Sequence, residues 1–208
     1  MKPPKSMEAL EGLGRVRLSD NFFMRDFLYS EISAFYGIPN IPDDPDLAIL
    51  AGRKLCEEAL EPLMARFGRI SIRSAYRSPA VNAYGNAHDL NCGSNDSNFG
   101  GHIWDRRTAN GEMGACATII VHALIPLYER TGAWEPLAWW IHDHLPYDTL
   151  EFFPKYAAFN YGHGERQRRH IRSYIPPRRG VLSKAGMPNA TGDHGEEYAD
   201  WLSSLEPT

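Results

Sequence analysis

The chain of 208 residues has the length of one domain, or of one domain with tails. Hydrophobic residues make up 43% of it and charged residues 23%, a composition that excludes a wholly disordered or fibrous protein. The net charge of −4 excludes nucleic-acid binding over the whole surface, and the three dispersed cysteines exclude a disulfide framework or a cysteine zinc site.

The first 17 residues predict an N-terminal arm. Lys2 and Lys5 are followed by Glu8 and Glu11 rather than by an apolar core, so we expect no signal peptide and synthesis in a cytoplasm. No apolar run approaches the length of a membrane helix, and we therefore expect no membrane insertion.

The strongest local pattern is an amphipathic helix over residues 47–67. Apolar side chains recur there every three to five residues, Pro62 predicts a kink and Gly68 an end. Apolar and polar residues then alternate over residues 70–73, which predicts a half-buried strand. The predicted core contains Leu50, Leu63, Phe67, Ile70, Ile72, Ile119 and Val121.

The second half of the chain predicts short strands and helices after a long polar loop. The loop covers residues 82–101, strands are expected over 115–121, 147–153 and 171–175, and helices over 124–130 and 136–143. This order predicts an α+β domain over residues 18–185, with helices on one side of a mainly antiparallel sheet. Residues 186–208 are expected to form a C-terminal tail.

Three segments carry a resemblance to a known family. They are Leu-Glu-Pro-Leu at residues 60–63, Phe-Gly-Arg-Ile at 67–70 and Ser-Ala-Tyr-Arg-Ser-Pro-Ala-Val-Asn at 74–82. In this order and spacing they resemble the zinc D-Ala-D-Ala carboxypeptidases and related murein peptidases. The resemblance implies the hedgehog/DD-peptidase fold and a substrate among the peptides of peptidoglycan.

The resemblance also implies a zinc site of His, Asp and His with one position open for water. His102 matches the first ligand. The aspartate position falls on Thr118, a neutral residue that cannot replace an anionic ligand, so Asp105 is the candidate substitute. His163 is the candidate third ligand, although the tryptophan of the family segment is missing.

Three residues are candidates for catalytic roles. Arg77 lies in the matched motif, where the resemblance implies a contact with the substrate carboxylate. Glu151 could supply an acid in a shifted register, because the glutamate position of the family falls on Phe153. Glu165 could act as a base if His163 binds metal. A structural ion pair for Arg77 and solvated positions for both glutamates remain open.

Two further patterns stay outside the resemblance. His142 and His144 follow two tryptophans at a predicted helix end, where a histidine favours the helix dipole. A basic stretch could be a solvated face or could bind an anionic polymer or an acidic protein; it contains Arg166, Arg168, Arg169, His170, Arg172, Arg178, Arg179 and Lys184.

Two functions follow from these patterns. The favoured one is a degenerate member of the fold that serves as a structural or binding component of a phage particle or similar assembly. Its partners would be peptidoglycan or other virion proteins. The alternative is an active zinc-dependent cell-wall peptidase, a phage lysin or virion-associated enzyme that cleaves peptidoglycan peptides. No phosphate-binding loop or serine-hydrolase motif occurs, so a nucleic-acid enzyme is not expected.

Overall fold

A six-stranded mixed sheet forms the centre of the protein in a computed structural model that describes residues 1–205. Its strands are β1 (Ile70–Ser74), β2 (Gly114–Val121), β3 (Thr149–Phe152), β4 (Phe159–Gly164), β5 (His170–Ser173) and β6 (Gly180–Ser183). The strand order is β1-β2-β4-β3-β5-β6. The α+β class is therefore confirmed.

The sheet differs from the mainly antiparallel one that was expected, because β3 and β5 run parallel. The chain reverses from β3 into β4 on one side of β3 and then crosses to the other side to form β5. Two reversals return the chain to its original direction, so β5 repeats the direction of β3. The other strand pairs are antiparallel.

The helices surround this sheet in chain order. They are α1 (Met7–Gly14), α2 (Glu31–Tyr36), α3 (Pro45–Leu55), α4 (Glu61–Phe67), α5 (Pro79–Ala87), α6 (Asn95–Asn98), α7 (Ile125–Thr131), α8 (Glu135–His144) and α9 (Gly195–Leu205). N-cap side chains stabilise the first turns of several of these helices. Ser78 caps α5, and Asp44 caps α3, which has Pro45 in its first turn.

The predicted helix over residues 47–67 is confirmed, with a π-helical turn over Cys56–Leu60 between α3 and α4. Pro62 explains this turn, because a proline lacks the N–H of a regular helix and its ring crowds the carbonyl four residues earlier. The N–H of Glu61 instead donates to the Cys56 carbonyl, five residues back. Gly68 ends the helix with a φ of +73°, a conformation that favours glycine.

The core lies between the sheet and α3, α4 and α8. Leu63, Phe67, Ile119 and Val121 are buried as expected, and Ile70 and Ile72 are half-buried in β1. Leu50 was expected in the core, but 47% of it is exposed. The buried stripe of α3 runs through Ala48, Ala51 and Leu55, and Leu50 lies on the opposite side of the helix.

Both ends of the described chain pack onto the domain. Leu13 of α1, in the expected arm, is fully buried. In the expected tail, α9 packs against α8, and Trp201 stacks on Phe67 with ring centroids 4.9 Å apart. Residues 206–208 of that tail lie outside the described residues. Within residues 1–205, no helix has the length and apolar character needed to cross a membrane.

We predict that Trp201→Ala lowers the free energy of unfolding by about 3–5 kcal/mol, because a large buried aromatic side chain leaves a cavity over Phe67. Urea denaturation measures the loss. Ser203→Ala, an exposed position on the same helix, should change it by less than about 0.5 kcal/mol. Equal stability of the two variants would contradict the packing of α9.

Candidate functional site

A cleft lies on the face of the sheet opposite α3, and we call it the central cleft. Two adjoining concavities of about 400 and 640 Å³ form it and share Ser97, Asn98, His102, Glu151 and Asn160. Its other lining residues include Arg77, Cys116, Asp148, Thr149, Phe153, Gly162, Arg166, Arg168, His170, Arg172 and Tyr174. The segment after α5 forms one wall. The loop predicted over residues 82–101 is shorter than expected, because α5 continues to Ala87 and α6 covers Asn95–Asn98.

His102 sits in this wall with its imidazole buried. Its Nδ1 lies 2.7 Å from the Ala75 carbonyl oxygen, which can only accept, so Nδ1 carries the proton and Nε2 is a free base. Burial lowers the pKa of His102 to about 3, and the charge of Arg77 contributes in the same direction. His102 is therefore neutral near pH 7.

Three side chains beside His102 form a hydrogen-bonded row across the sheet. The Thr118 hydroxyl donates to Asn160 Oδ1 at 2.6 Å, and Asn160 Nδ2 donates to Glu151 Oε2 at 3.1 Å. Strand pairing produces the row, since Thr118 lies opposite Asn160 and Asn160 opposite Glu151. Residues directly opposite in antiparallel strands have their side chains on the same face.

Arg77 lines the same cleft from the loop after β1. Its backbone N–H donates to the His102 carbonyl at 2.8 Å, which ties the two loops together. Its guanidinium contacts Asn82 Oδ1 at 3.3 Å and Cys92 Sγ at 3.1 Å. Among residues 1–205 no carboxylate forms an ion pair with Arg77, so the expected alternative of a structural ion pair is not observed.

His163, the candidate third ligand, faces the other side of the sheet. It pairs with Ala115 on β2, and its Nε2 lies 3.0 Å from Glu58 Oε2 in the π-helical turn. Side chains alternate between faces along a strand, so Asn160 and His163 point in opposite directions. His102 and His163 therefore lie on opposite faces of the sheet, and the expectation that they bind one metal ion together is wrong.

Asp105 also points away from the cleft. It is buried beneath the start of α3, where its Oδ2 accepts a hydrogen bond from the Asp43 N–H at 2.7 Å. Glu165 is exposed directly after the end of β4, and its Oε2 accepts a hydrogen bond from the Met113 N–H at 2.7 Å. Both carboxylates fix loops. Of the six candidate site residues, the structure brings together His102, Arg77 and Glu151.

The centre of the cleft does not fit a zinc ion. Catalytic zinc sites use three protein ligands among cysteine, histidine and carboxylate side chains. Beside His102 lie the Thr118 hydroxyl and the Asn160 amide, which bond to each other, and the Glu151 carboxylate, which bonds to Asn160. In the described part of the chain, no three histidine, cysteine or carboxylate side chains of the cleft bring their ligand atoms within 4.8 Å of one another. Asn160 is the residue that sequence reasoning missed. Side chains alternate between the two faces along β4, and this alternation is the signal that would have placed Asn160 and His163 on opposite faces of the sheet.

A second cluster, separate from the cleft, could hold a metal ion. One ligand atom from each of His142, Asp143 and His194 lies within 4.8 Å of the others, and within the described part of the chain this is the one such group of three. The cluster is hydrogen-bonded as it stands. His194 Nδ1 lies 2.7 Å from Asp143 Oδ1, and His142 Nδ1 lies 2.5 Å from the Tyr147 hydroxyl.

This cluster also links the C-terminal segment to α8. The Asp143 carboxylate accepts from the His194 N–H at 2.9 Å and from the Tyr198 hydroxyl at 3.1 Å. Burial raises the pKa of Asp143, but these bonds and the neighbouring imidazole outweigh it, so the pKa lies below its usual value. His142 is buried at the helix end, and the pKa of its imidazole is lowered by burial and by Arg169.

No protein-family model, curated protein or solved structure matches this chain.

We predict that His102 makes stability depend on pH. The unfolded chain takes up a proton on this residue below about pH 6.5, whereas the folded chain does so only near pH 3. The contribution of the neutral His102 to the free energy of unfolding is therefore fully present above about pH 6.5. Below that pH it falls by up to about 1.4 kcal/mol per pH unit. His102→Gln should remove this part of the dependence of the free energy of unfolding on pH, which urea denaturation at pH 5, 6 and 7 measures. An unchanged slope would refute the buried neutral imidazole.

Proposed function

We propose that this protein is a degenerate relative of the zinc murein peptidases, with a hedgehog/DD-peptidase-like fold, that binds peptides of peptidoglycan in the central cleft without cleaving them. It would serve as a binding or structural component of a phage particle or a similar assembly. The hydrogen bond between Thr118 and Asn160, at the position where a metal centre would need charged or imidazole ligands, carries the proposal.

The rest of the cleft supports recognition of a carboxylate. Arg77 offers a guanidinium with no carboxylate partner among residues 1–205, and His102 Nε2 lies in the same concavity. A planar guanidinium matches a carboxylate through two parallel hydrogen bonds. A terminal carboxylate of a peptidoglycan peptide would therefore face Arg77, with its last peptide unit beside Asn160.

An active zinc peptidase is the second candidate, and Glu151 favours it. This carboxylate lies in the cleft next to Asn160 and is placed where a general base could reach a bound water. The two candidates differ in one measurable activity. An active peptidase would hydrolyse purified murein with a metal at His102, whereas the proposed binding protein would not.

The resemblance implies zinc at His102, Asp105 and His163, which the structure does not bring together. We propose instead that a zinc ion binds the His142–Asp143–His194 cluster. Two imidazoles and a carboxylate are ligands that zinc accepts. An ion there would replace the hydrogen bond between His194 and Asp143 and would hold the segment before α9 on α8. It would lie away from the central cleft, since the two sites share no lining residue.

We predict that Arg77→Gln weakens binding of a carboxylate-terminated stem peptide at least tenfold, because one charge-assisted pair is worth about 1.5–3 kcal/mol. Calorimetric titration measures the affinity, and a zymogram on purified murein should show no clearing by the parent chain. Arg130→Gln, an exposed arginine on α7, is the matched control and should bind normally. Murein clearing that His102→Ala abolishes would establish the peptidase instead.

We also predict where zinc binds. The parent chain should take up one zinc ion per molecule, His102→Ala should retain it, and His194→Ala should lose it, because only the cluster offers three suitable ligands in the described residues. Elemental analysis after dialysis measures the stoichiometry. Zinc that is lost with His102→Ala and kept with His194→Ala would contradict this assignment.

A gain-of-binding variant completes this test. Thr118→Asp combined with Asn160→His, made in the His194→Ala background, places an imidazole and a carboxylate beside His102. This chain should recover one zinc ion, and adding His102→Ala should remove it again. Failure of a folded variant to bind zinc would show that the three positions do not converge.

A further inference from the structure

The basic stretch of the sequence divides between two sides of the protein. Arg169 turns away from the cleft, where its guanidinium lies over the Tyr147 ring and donates to the His142 carbonyl. Arg178 pairs with Glu135. The other members of the stretch before residue 173 line one end of the central cleft, and they are Arg166, Arg168, His170 and Arg172.

A buried carboxylate fixes two of these arginines in place. Asp148 accepts hydrogen bonds from Arg168 Nε at 2.9 Å and Nη2 at 2.7 Å, and from Arg166 Nη2 at 3.2 Å. Burial raises the pKa of Asp148, but the bonds from Arg168 outweigh it and lower the pKa, so the carboxylate stays ionised. The side chain of Arg168 is thereby held rigidly at the cleft wall.

The next two basic residues have hydrogen-bonding capacity that the described chain does not use. His170 and Arg172 are two residues apart on β5 and therefore share one face of the sheet. His170 Nε2 and Arg172 Nε are both buried and have no hydrogen-bond partner among residues 1–205. Buried polar groups are rarely left unpaired in a folded protein, because each costs free energy.

Arg172 is also positioned without a neutralising ion pair. Its guanidinium lies over the Tyr174 ring at 4.7 Å. Glu151, its neighbour on β3, forms no ion pair with it, and neither does any other carboxylate among residues 1–205. The lining of the cleft contains four arginines, Arg77 included, against two carboxylates, Asp148 and Glu151. Asp148 is already occupied by Arg166 and Arg168, so a local positive charge remains.

We propose that Arg168, His170 and Arg172 form a subsite for a phosphate group at this end of the central cleft. A phosphate dianion offers several acceptor oxygens and two charges, and guanidinium groups match it with paired donors. A single carboxylate would pair with the Arg172 guanidinium and leave His170 Nε2 without a partner. This subsite does not depend on the peptide-binding function, since Arg77 lies at the other end of the cleft.

The groups around His170 support this assignment. Burial lowers the pKa of His170, and the charges of Arg172, Arg168 and Lys184 lower it further, while Glu151 acts weakly in the opposite direction. A bound phosphate would oppose these cations and favour the imidazolium. Phosphate binding and protonation of His170 are then linked. Bound phosphate raises the pKa of His170, and the protonated imidazole raises the affinity for phosphate.

The experiment is a titration of the whole chain with inorganic phosphate at constant ionic strength, followed by calorimetry and by NMR of the histidine side chains. We expect saturable binding of one phosphate and a rise in the pKa of His170 when phosphate is present. Arg172→Gln should weaken binding at least tenfold, and His170→Gln should weaken it and remove its pH dependence. No binding by the folded parent chain would overturn the proposal.

Two controls separate this site from other effects. Arg179→Gln, an exposed arginine of the same basic stretch that does not line the cleft, should bind phosphate as the parent chain does. An equal loss for Arg179→Gln and Arg172→Gln would indicate nonspecific attraction and would refute the subsite. Arg77→Gln should keep phosphate binding while it loses the peptide, so the two proposals can fail separately.

Discussion

The register of β2 against β4 is the constraint on which the site depends. Side chains alternate along both strands, so a shift by one residue would exchange the two faces. Close backbone contacts leave no room for a shift: a Cβ at Gly114 would lie 2.4 Å from the Gly100 carbonyl oxygen, and one at Gly164 2.5 Å from that of Met113. These glycines bring the strands and the His102 loop together and fix Thr118 opposite Asn160.

The sheet separates two kinds of polar chemistry. On the helix side, polar groups are used for structure: His163 meets Glu58, and Asp143 holds the C-terminal segment. On the cleft side, arginines and a neutral imidazole remain available to solvent-borne groups. The separation explains how a protein with a net charge of −4 presents a locally basic concavity.

Local patterns predicted the fold better than the site. The helix over residues 47–67 and the strand after Gly68 follow from periodicity and from glycine chemistry, which act within a few residues. The cleft depends on pairings between distant strands. His163 was predicted as a ligand because it lies at the expected place along the chain, but only the register with Ala115 shows which way it points. Asn160 was missed for the same reason, and the basic stretch did not show which of its members, such as Arg172, face the cleft.

The stacking of Trp201 on Phe67 has a consequence for the order of assembly during synthesis. Phe67 ends α4 in the first third of the chain, whereas its cover belongs to α9 near the end. A chain emerging from the ribosome can therefore form the sheet and the cleft while this aromatic face of α4 and α8 is still open to water. A chaperone that recognises apolar surface would meet it there, and its hold would end when α9 docks.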